Sequence, residues 1–202
     1  MKLKNLSKES KIRASIRSNL RFWFNLASSD EFEDGLNWYK RANEECISMA
    51  KYAPMLQVAG VISALSPNNN WNRNLIDARN VLKAVQEQKS ADKVKVCTYD
   101  QNKLKAFEIA RGNKEILEKS PKTYAFAKNV GELDSNFVTV DVWHLRACQT
   151  RSFSRKNLSE SCTPLQYKII SDETMKVAKE CGLKGYEFQA IVWVTIRNKW
   201  TK

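Results

Sequence analysis

The chain has 202 residues, and its 34 lysines and arginines against 22 aspartates and glutamates give a net charge of +12 at pH 7. Apolar residues make up 43% of the sequence and aromatic residues 10%, enough for a sizeable core in one domain or two closely joined lobes. Six glycines and four prolines are too few for a collagen-like, linker-rich or many-turned all-β protein. No segment approaches the roughly 18–20 apolar residues of a membrane span. We expect a soluble, basic, globular protein.

The cysteines indicate the cellular compartment. There are five, an odd number with long gaps, and no C-x-x-C pair or Cys/His cluster with zinc spacing accompanies them. This pattern predicts free thiols in a reducing cytosol, and it predicts neither a metal nor a cofactor. The N-terminal segment is basic but lacks the apolar stretch of a secretory signal. We therefore expect a cytoplasmic location.

Helical periodicity covers most of the chain and predicts an all-α fold. The first predicted helix has an apolar stripe that repeats every four residues from Ile12 to Phe24, beside a basic face. The third is apolar on nearly every side and ends just before a proline. A short extended piece is expected at residues 92–98. The predicted helices span residues 7–26, 30–52, 55–65, 71–88, 100–110, 122–130, 142–150, 164–181 and 186–200.

Three segments have the residue types that chemistry needs. Residues 62–71, I-S-A-L-S-P-N-N-N-W, are typical of a buried helix that delivers amides and an indole to a polar turn. Residues 116–129, I-L-E-K-S-P-K-T-Y-A-F-A-K-N, indicate two helices joined by a tight turn, with Pro121 in the first turn of the second. Residues 137–147, F-V-T-V-D-V-W-H-L-R-A, place a single carboxylate, Asp141, where a new helix starts.

Taken in that order, the three segments resemble the helix-hairpin-helix DNA glycosylases, the HhH-GPD superfamily. Members carry a hairpin of the form L-P-G-V-G-x-K-T-A, followed by V-D-T-H-x-x-R. Leu117 and the pair Lys122-Thr123 keep their hairpin positions, and Asp141 lies 19 residues after Lys122. Arg146 keeps the family's offset from the aspartate. The resemblance extends over roughly residues 55–148.

The chain also departs from the housekeeping members of that superfamily. Residues 119–121, K-S-P, stand where the hairpin has its glycines, and no four-cysteine iron–sulfur loop follows. The polar turn at residues 66–71 and the segment 189–193 resemble the divergent branch associated with phage-modified bases.

The resemblance implies an all-α unit over residues 1–202, with two helical lobes and a DNA cleft between them. The central lobe is expected at about residues 55–140, with the hairpin at 113–130. The second lobe would combine residues 1–54 with residues 141–202. The expected partner is double-stranded DNA carrying modified bases, bound by a monomer without a cofactor, a metal or a membrane.

Asp141 and Lys122 are the expected catalytic residues. A carboxylate near C1′ stabilises the positive charge that develops when the base leaves, and it can activate water. Alternatively, Asp141 only caps the helix that begins at Val142. Lys122 matches the Schiff-base lysine of lyase-competent members, and such an amine must be deprotonated by burial or by a neighbouring positive charge. Its alternative is a solvated lysine or a phosphate contact.

Other residues are expected to contact DNA. When a base leaves the duplex, a polar side chain fills the gap as a wedge, and the extruded base stacks on aromatic rings. The ordinary role of the asparagines is to form a turn, and that of the aromatic residues is to pack in the core. The wedge and base-pocket candidates are Asn68, Asn69, Asn70, Trp71, Tyr124 and Trp143. The phosphate-contact candidates are Lys119, Ser120, Thr123, Arg146, Lys11 and Arg17. The single histidine, His144, is expected to pack in the core.

The resemblance implies a glycosylase that excises a modified base and leaves an abasic site. The expected substrate is a hypermodified pyrimidine such as glucosylated hydroxymethylcytosine, in the context of antiphage defence. One alternative is an enzyme of the same fold that modifies thymine bases in phage DNA. Another is a non-catalytic DNA-binding module in which Asp141 is only a helix cap.

Overall fold

The computed structural model describes residues 6–154 and 157–200. These ranges contain α-helices, one 3-10 helix and no strand, which confirms the expected all-α class. Within them, no helix combines the length and the apolar character needed to cross a membrane. The helices are α1 (Leu6–Asn25), α2 (Ser29–Ser48), α3 (Met55–Leu65), α4 (Trp71–Gln86), α5 (Asp100–Ala110), α6 (Lys114–Glu118), α7 (Pro121–Glu132), α8 (Val142–Gln149), α9 (Pro164–Glu180) and α10 (Gly185–Lys199).

The segment at residues 92–98, expected to be extended, is helical at Asp92 and Lys93 and extended at Val94. The 3-10 helix Ala91–Lys93 occupies its start. The backbone N–H of Lys93 donates to the carbonyl of Ser90, and that of Val94 to the carbonyl of Ala91, each at 3.2 Å. Because these donors are used locally, this part of the segment does not pair as a strand.

The chain forms two compact units. The terminal unit combines Met1–Tyr39 with Ser135–Lys202, and the central unit is Lys40–Asp134. The central unit starts earlier than the lobe expected at residues 55–140, because the second half of α2 belongs to it. Asn43 of that half donates its side-chain amide to the carbonyls of Val130 and Gly131, at 2.7 and 3.1 Å.

The core of the terminal unit forms where α1, α8, α9 and α10 pack together. The apolar stripe of α1 supplies Ile16 and Leu20, which are buried as its period predicts. Trp23 is fully buried, and its indole N–H donates to the carbonyl of Thr150 at 2.7 Å. Phe188 of α10 is fully buried in the same core.

The central unit is built around α3, whose residues from Val58 to Leu65 are all buried. It packs against α4, α5 and α7. Close helix approach depends on glycine: a Cβ added at Gly60 would lie 2.8 Å from Cγ2 of Ile109, and one at Gly131 would lie 2.8 Å from Cβ of Ala59. The short α6 and the N-terminus of α7 form the expected hairpin, with Pro121 in the first turn of α7.

Candidate functional site

Asp141 begins α8 at the end of a buried extended segment. The residues before it, Val138 to Val140, are β-branched and favour extended backbone. The Asp141 backbone is itself extended, and its Oδ1 accepts a hydrogen bond from the backbone N–H of His144 at 2.8 Å. Aspartate favours this N-cap geometry, and the positive end of the helix dipole stabilises its negative charge. The N-terminus of α8 therefore fixes the carboxylate.

Trp193 of α10 binds the second oxygen of that carboxylate. Its indole Nε1–H donates to Oδ2 of Asp141 at 2.9 Å. Two N–H donors, one from the backbone of α8 and one from a side chain of α10, therefore hold the carboxylate through both oxygens.

The ring of Trp193 also contacts the ring of Trp38, and we call this pair of indoles the aromatic wall. The centroid of the Trp193 ring lies 5.6 Å from that of Trp38, with 64° between the ring planes. The guanidinium carbon of Arg197 lies 4.3 Å from the Trp193 ring centroid, a cation–π distance. Both indoles are half-buried, so each keeps part of its surface open to solvent.

Gln189 lies one helical turn before Trp193, on the same face of α10. The hydroxyl of Tyr39 donates to its Oε1 at 2.9 Å. Gln189 is only 3% exposed, and within the described ranges its amide nitrogen donates to no other residue. We call Asp141, Trp193, Trp38, Gln189 and Tyr39 the carboxylate site.

Two tyrosines stay protonated, Tyr39 of the carboxylate site and the neighbouring Tyr167. Burial raises the pKa of Tyr39, and the negative charge of Asp141 raises it further. Burial likewise raises the pKa of Tyr167. The Tyr167 hydroxyl donates to the carbonyl of Val138 at 2.9 Å and accepts from the backbone N–H of Val140 at 3.3 Å. Tyr167 therefore holds the extended segment that leads to Asp141.

His144 is packed in the core, as the sequence predicts. It is fully buried, and burial lowers its pKa to about 3. Its Nε2 lies 2.9 Å from Oγ1 of Thr174, and that hydroxyl donates to the carbonyl of Ile170. The hydroxyl proton is thus committed, so we assign the imidazole proton to Nε2. The other ring nitrogen, Nδ1, is buried without a partner among the described residues.

Arg146 and Trp143 belong to a separate cluster of the terminal unit. The Arg146 guanidinium is buried, with its carbon 4.6 Å from the ring centroid of Trp143 and 5.6 Å from that of Trp200. It forms an ion pair with the exposed Glu160 at 2.6 Å. Within the described ranges, no hydrogen bond or ring contact joins Arg146 or Trp143 to Asp141. The structure therefore does not bring the expected phosphate contact, Arg146, or the expected base contact, Trp143, together with the carboxylate.

The hairpin residues lie in the central unit. Lys122 is exposed in the first turn of α7, and Lys119 is exposed and pairs with Glu115 at 3.4 Å. The hydroxyls of Ser120 and Thr123 accept hydrogen bonds from Lys105 of α5, at 2.6 and 3.4 Å. Lys105 was not selected from the sequence, because one lysine among many has no distinguishing local pattern.

The asparagine turn is held by hydrogen bonds. Asn70 caps α4 by accepting from the backbone N–H of Arg73, and Asn68 has a positive φ of 55°. The side-chain amide of Asn69 donates to Oδ2 of Asp77 at 3.0 Å. Asp77 is fully buried, and it also accepts from Arg73 Nε and from the backbone N–H of Cys97.

The candidates next to that turn differ in exposure. Asn68 is exposed and donates to the hydroxyl of Tyr99 at 2.7 Å, whereas Trp71 and Tyr124 are half-buried in α4 and α7. Asn69 and Asn70 therefore have structural roles in the turn, and Asn68 and Asn70 are the exposed asparagines of the three.

The basic face of α1 is partly neutralised within the terminal unit. Arg13 and Arg17 both form ion pairs with Glu173 of α9, which is only 6% exposed. Arg21 pairs with Glu180 of the same helix. Lys11 is exposed and has no ion pair among the described residues. Of the two expected phosphate contacts on α1, Lys11 is therefore the accessible one.

Comparison with known proteins identifies a family. A family model described as a family of unknown function, DUF7178, matches residues 2–200. The chain belongs to the DUF7178 family. No curated protein and no solved structure gives a significant match.

This DUF7178 chain also has a cavity of about 260 Å³ between α1, α8 and α9. Its lining is mostly apolar and uncharged, with Ile12, Ile16, Leu145 and Ile170 among the residues that form it. No group of three His, Cys, Asp or Glu side chains among the described residues is arranged to hold a metal ion. The carboxylate site therefore remains the strongest candidate for chemistry in the terminal unit.

Four residues of the carboxylate site are not among the site residues expected from the sequence, although two of them bound the segment 189–193 that resembles the divergent branch. Gln189 and Trp193 are spaced four apart in a predicted helix, which is the available signal that they share a face. Trp38 and Tyr39 lie about a hundred residues from Asp141 in the sequence. Only the packing of α2 within the terminal unit assigns these two aromatic residues to the site.

Proposed function

We propose that the protein is a DNA glycosylase that excises a base by cleaving its N-glycosidic bond. The observation that carries this proposal is the fixation of the Asp141 carboxylate through both oxygens, by the His144 backbone N–H and the Trp193 indole N–H. A helix cap needs only the first of these two bonds. The second is what a positioned catalytic carboxylate would have.

The proposed reaction uses the negative charge of Asp141. The C1′–N bond breaks with its electron pair on the departing base, and C1′ becomes positive. A carboxylate held in place next to C1′ stabilises that charge without reorganising. A water oxygen then bonds to C1′, one water proton passes to the carboxylate, and the base takes a proton from solvent. The product is an abasic site in an intact strand.

The aromatic wall suits an extruded base. A base that leaves the duplex must be stacked and hydrogen-bonded in a pocket, at a cost of a few kcal/mol for unstacking. The half-buried rings of Trp38 and Trp193 offer stacking surfaces next to Asp141. The side-chain amide nitrogen of Gln189 offers a donor, and pyrimidines carry carbonyl oxygens that accept such a bond. These features support a base with a carbonyl oxygen, a class that includes the pyrimidines, as the target.

A net charge of +12 supports DNA as the partner. Within the pyrimidines we propose a hypermodified base such as glucosylated hydroxymethylcytosine, with antiphage defence as the context. The support for this narrower substrate is the sequence resemblance of the polar turn and of the segment 189–193.

The test incubates the protein with duplex oligonucleotides that contain cytosine, hydroxymethylcytosine or glucosylated hydroxymethylcytosine. Alkali-labile sites and the released base are then measured. We expect strand breaks only after alkali and only at the modified base. Asp141→Asn should abolish release, because asparagine still caps α8 but carries no charge. Asp172→Asn, an exposed change on α9, is the matched control and should act like the wild type.

Two results would contradict this proposal. A base whose mass changes without any alkali-labile site would indicate base modification in place. Identical behaviour of the wild type and the folded Asp141→Asn variant in every assay would indicate a DNA-binding module in which Asp141 is only a cap.

A further inference from the structure

Arg197 follows Trp193 by one turn of α10. Its side chain is exposed, and its guanidinium carbon lies 4.3 Å from the centroid of the Trp193 ring. The indole N–H of the same tryptophan donates to the carboxylate of Asp141. A single indole therefore contacts both groups, and α10 places an exposed cation one ring away from the proposed catalytic carboxylate.

The guanidinium of Arg197 has no ion pair among the described residues. Other arginines of the terminal unit do have one: Arg17 pairs with Glu173, and Arg146 pairs with Glu160. A guanidinium is a planar fork of N–H donors that can bind an oxyanion through two parallel hydrogen bonds. Arg197 therefore keeps donors that an external anion, such as a phosphate, can use.

Two carboxylates near α10 are already bonded to other groups. Both oxygens of Asp141 accept N–H donors, and Glu31 binds the ammonium of Lys199 and the backbone N–H of Ser28. Arg197 also has ordinary roles, since a cation in the last turn stabilises the helix dipole and stacking on an indole contributes a little more. Neither of these roles requires an anion, so the binding of an anion distinguishes them from a functional role.

Three side chains of α10 form a row beside the carboxylate. Gln189, Trp193 and Arg197 are spaced four residues apart, which places them on one ridge of the helix. The helix rises about 12 Å from the first to the last of them. In this order the row presents an amide donor, an indole bonded to the carboxylate and a guanidinium. A nucleotide presents a base edge, a sugar and a phosphate in the same order.

We propose that Arg197 binds a phosphate next to the extruded nucleotide, so that α10 contacts that nucleotide from its base to its phosphate. The ligand of this row is a deoxynucleotide within a strand, and neither a free base nor a nucleoside satisfies all three side chains. The assignment of the base and of C1′ rests on the proposed function. The phosphate contact itself is tested by binding alone.

The probe is a DNA duplex with one tetrahydrofuran abasic analogue, which has no base to release. The two phosphates that flank the analogue are replaced in turn by neutral methylphosphonates, and dissociation constants are measured by fluorescence anisotropy at fixed salt. One of the two replacements should weaken binding by the wild type about tenfold, as the loss of a hydrogen bond to a charged group does. Arg197→Met should weaken binding to the same degree. Replacing that phosphate should then cause no further loss, because the two changes remove one shared contact.

Two further variants serve as controls. Lys176→Met removes an exposed cation of α9 that has no ion pair among the described residues, and it should keep the full sensitivity to the methylphosphonate. Arg197→Lys keeps the charge at the end of α10 but loses the planar fork, so its binding should be intermediate. If Arg197 only stabilises the helix end, the losses from Arg197→Met and from each methylphosphonate will multiply independently. That result would overturn the inference.

Base release from modified duplexes is measured separately, so that the two proposals can fail separately. Release by the wild type without any coupling between Arg197 and a phosphate would overturn this inference and leave the proposed function standing. Coupling without release from any duplex would support the phosphate contact and contradict the glycosylase. A folded protein that does not bind the abasic duplex would overturn the inference.

Discussion

The indole N–H of Trp193 donates to the carboxylate of Asp141 at 2.9 Å, although the two residues are 52 positions apart in the sequence. The bond joins α10 to the first residue before α8, inside one compact unit. It changes the interpretation of Asp141 from a simple helix cap to a carboxylate that two helices hold in one orientation.

Replacing Trp193 by phenylalanine keeps a ring but removes this donor. A hydrogen bond to a charged group contributes about 1.5–3 kcal/mol, and each 1.4 kcal/mol corresponds to about tenfold in rate. We therefore expect single-turnover base release to fall by about 10- to 100-fold, with little change in DNA affinity. Trp200→Phe is the matched control, because the indole N–H of Trp200 has no partner among the described residues. An equal loss in both variants would show that the bond to Asp141 is not used in the reaction.

The sequence predicts the helices well because their apolar periods are long and regular. The stripe of α1 and the apolar α3 are both buried as expected. Asp141 was also recognisable, because a lone carboxylate after β-branched residues is typical of a helix start. The N-cap bond and the start of α8 at Val142 agree with that expectation.

The partners of the predicted residues were not recognisable from the sequence. Arg17 and Glu173 are 156 positions apart, and nothing local relates them. The same is true of Lys105, whose surroundings differ from those of other lysines only through the hairpin hydroxyls that pack against it. Tertiary contacts of this kind decide whether a basic residue is paired, buried or available to DNA.

His144 predicts a pH dependence of stability. Its pKa is lowered to about 3 in the folded protein from an ordinary 6.5, so the unfolded chain binds a proton that the folded chain does not. Stability should therefore fall as the pH falls below about 7. Linkage gives a loss of about 2 kcal/mol in the free energy of unfolding between pH 7 and pH 5.

Urea unfolding at these two pH values measures the effect of His144. Glu31 and Glu173 also have lowered pKa values in the folded protein. Their contributions to stability are lost mainly below pH 4.5, the ordinary pKa of these groups, and therefore change little between pH 7 and pH 5. His144→Gln, which has no titrating group, should lose the dependence even if it is less stable at both pH values. A slope that persists in this variant would assign the effect to another group.

Asp77 is expected to be essential for the stability of the central unit. Its buried carboxylate accepts bonds from Asn69, Arg73 and Cys97. Asp77→Asn places an amide group against these buried donors, which should cost about 1–3 kcal/mol in the free energy of unfolding, and the partly exposed Arg73 loses its anion at little further cost. The exposed change Asp92→Asn should cost less than about 0.5 kcal/mol. Similar urea midpoints for the two variants would contradict this role.

Lys11 and Arg17 should differ in their contributions to DNA binding, although both lie on the basic face of α1. Lys11 is exposed and unpaired among the described residues, whereas Arg17 is paired with the buried Glu173. Lys11→Ala should weaken binding and reduce the slope of log K against log salt by about 0.9, as the loss of one phosphate contact does. Arg17→Ala should leave that slope unchanged and lower the free energy of unfolding instead, because Glu173 loses one of its two cations. Salt titrations and urea unfolding of both variants measure these effects, and a reduced salt slope for Arg17→Ala would mean that Arg17 exchanges Glu173 for a phosphate when DNA binds.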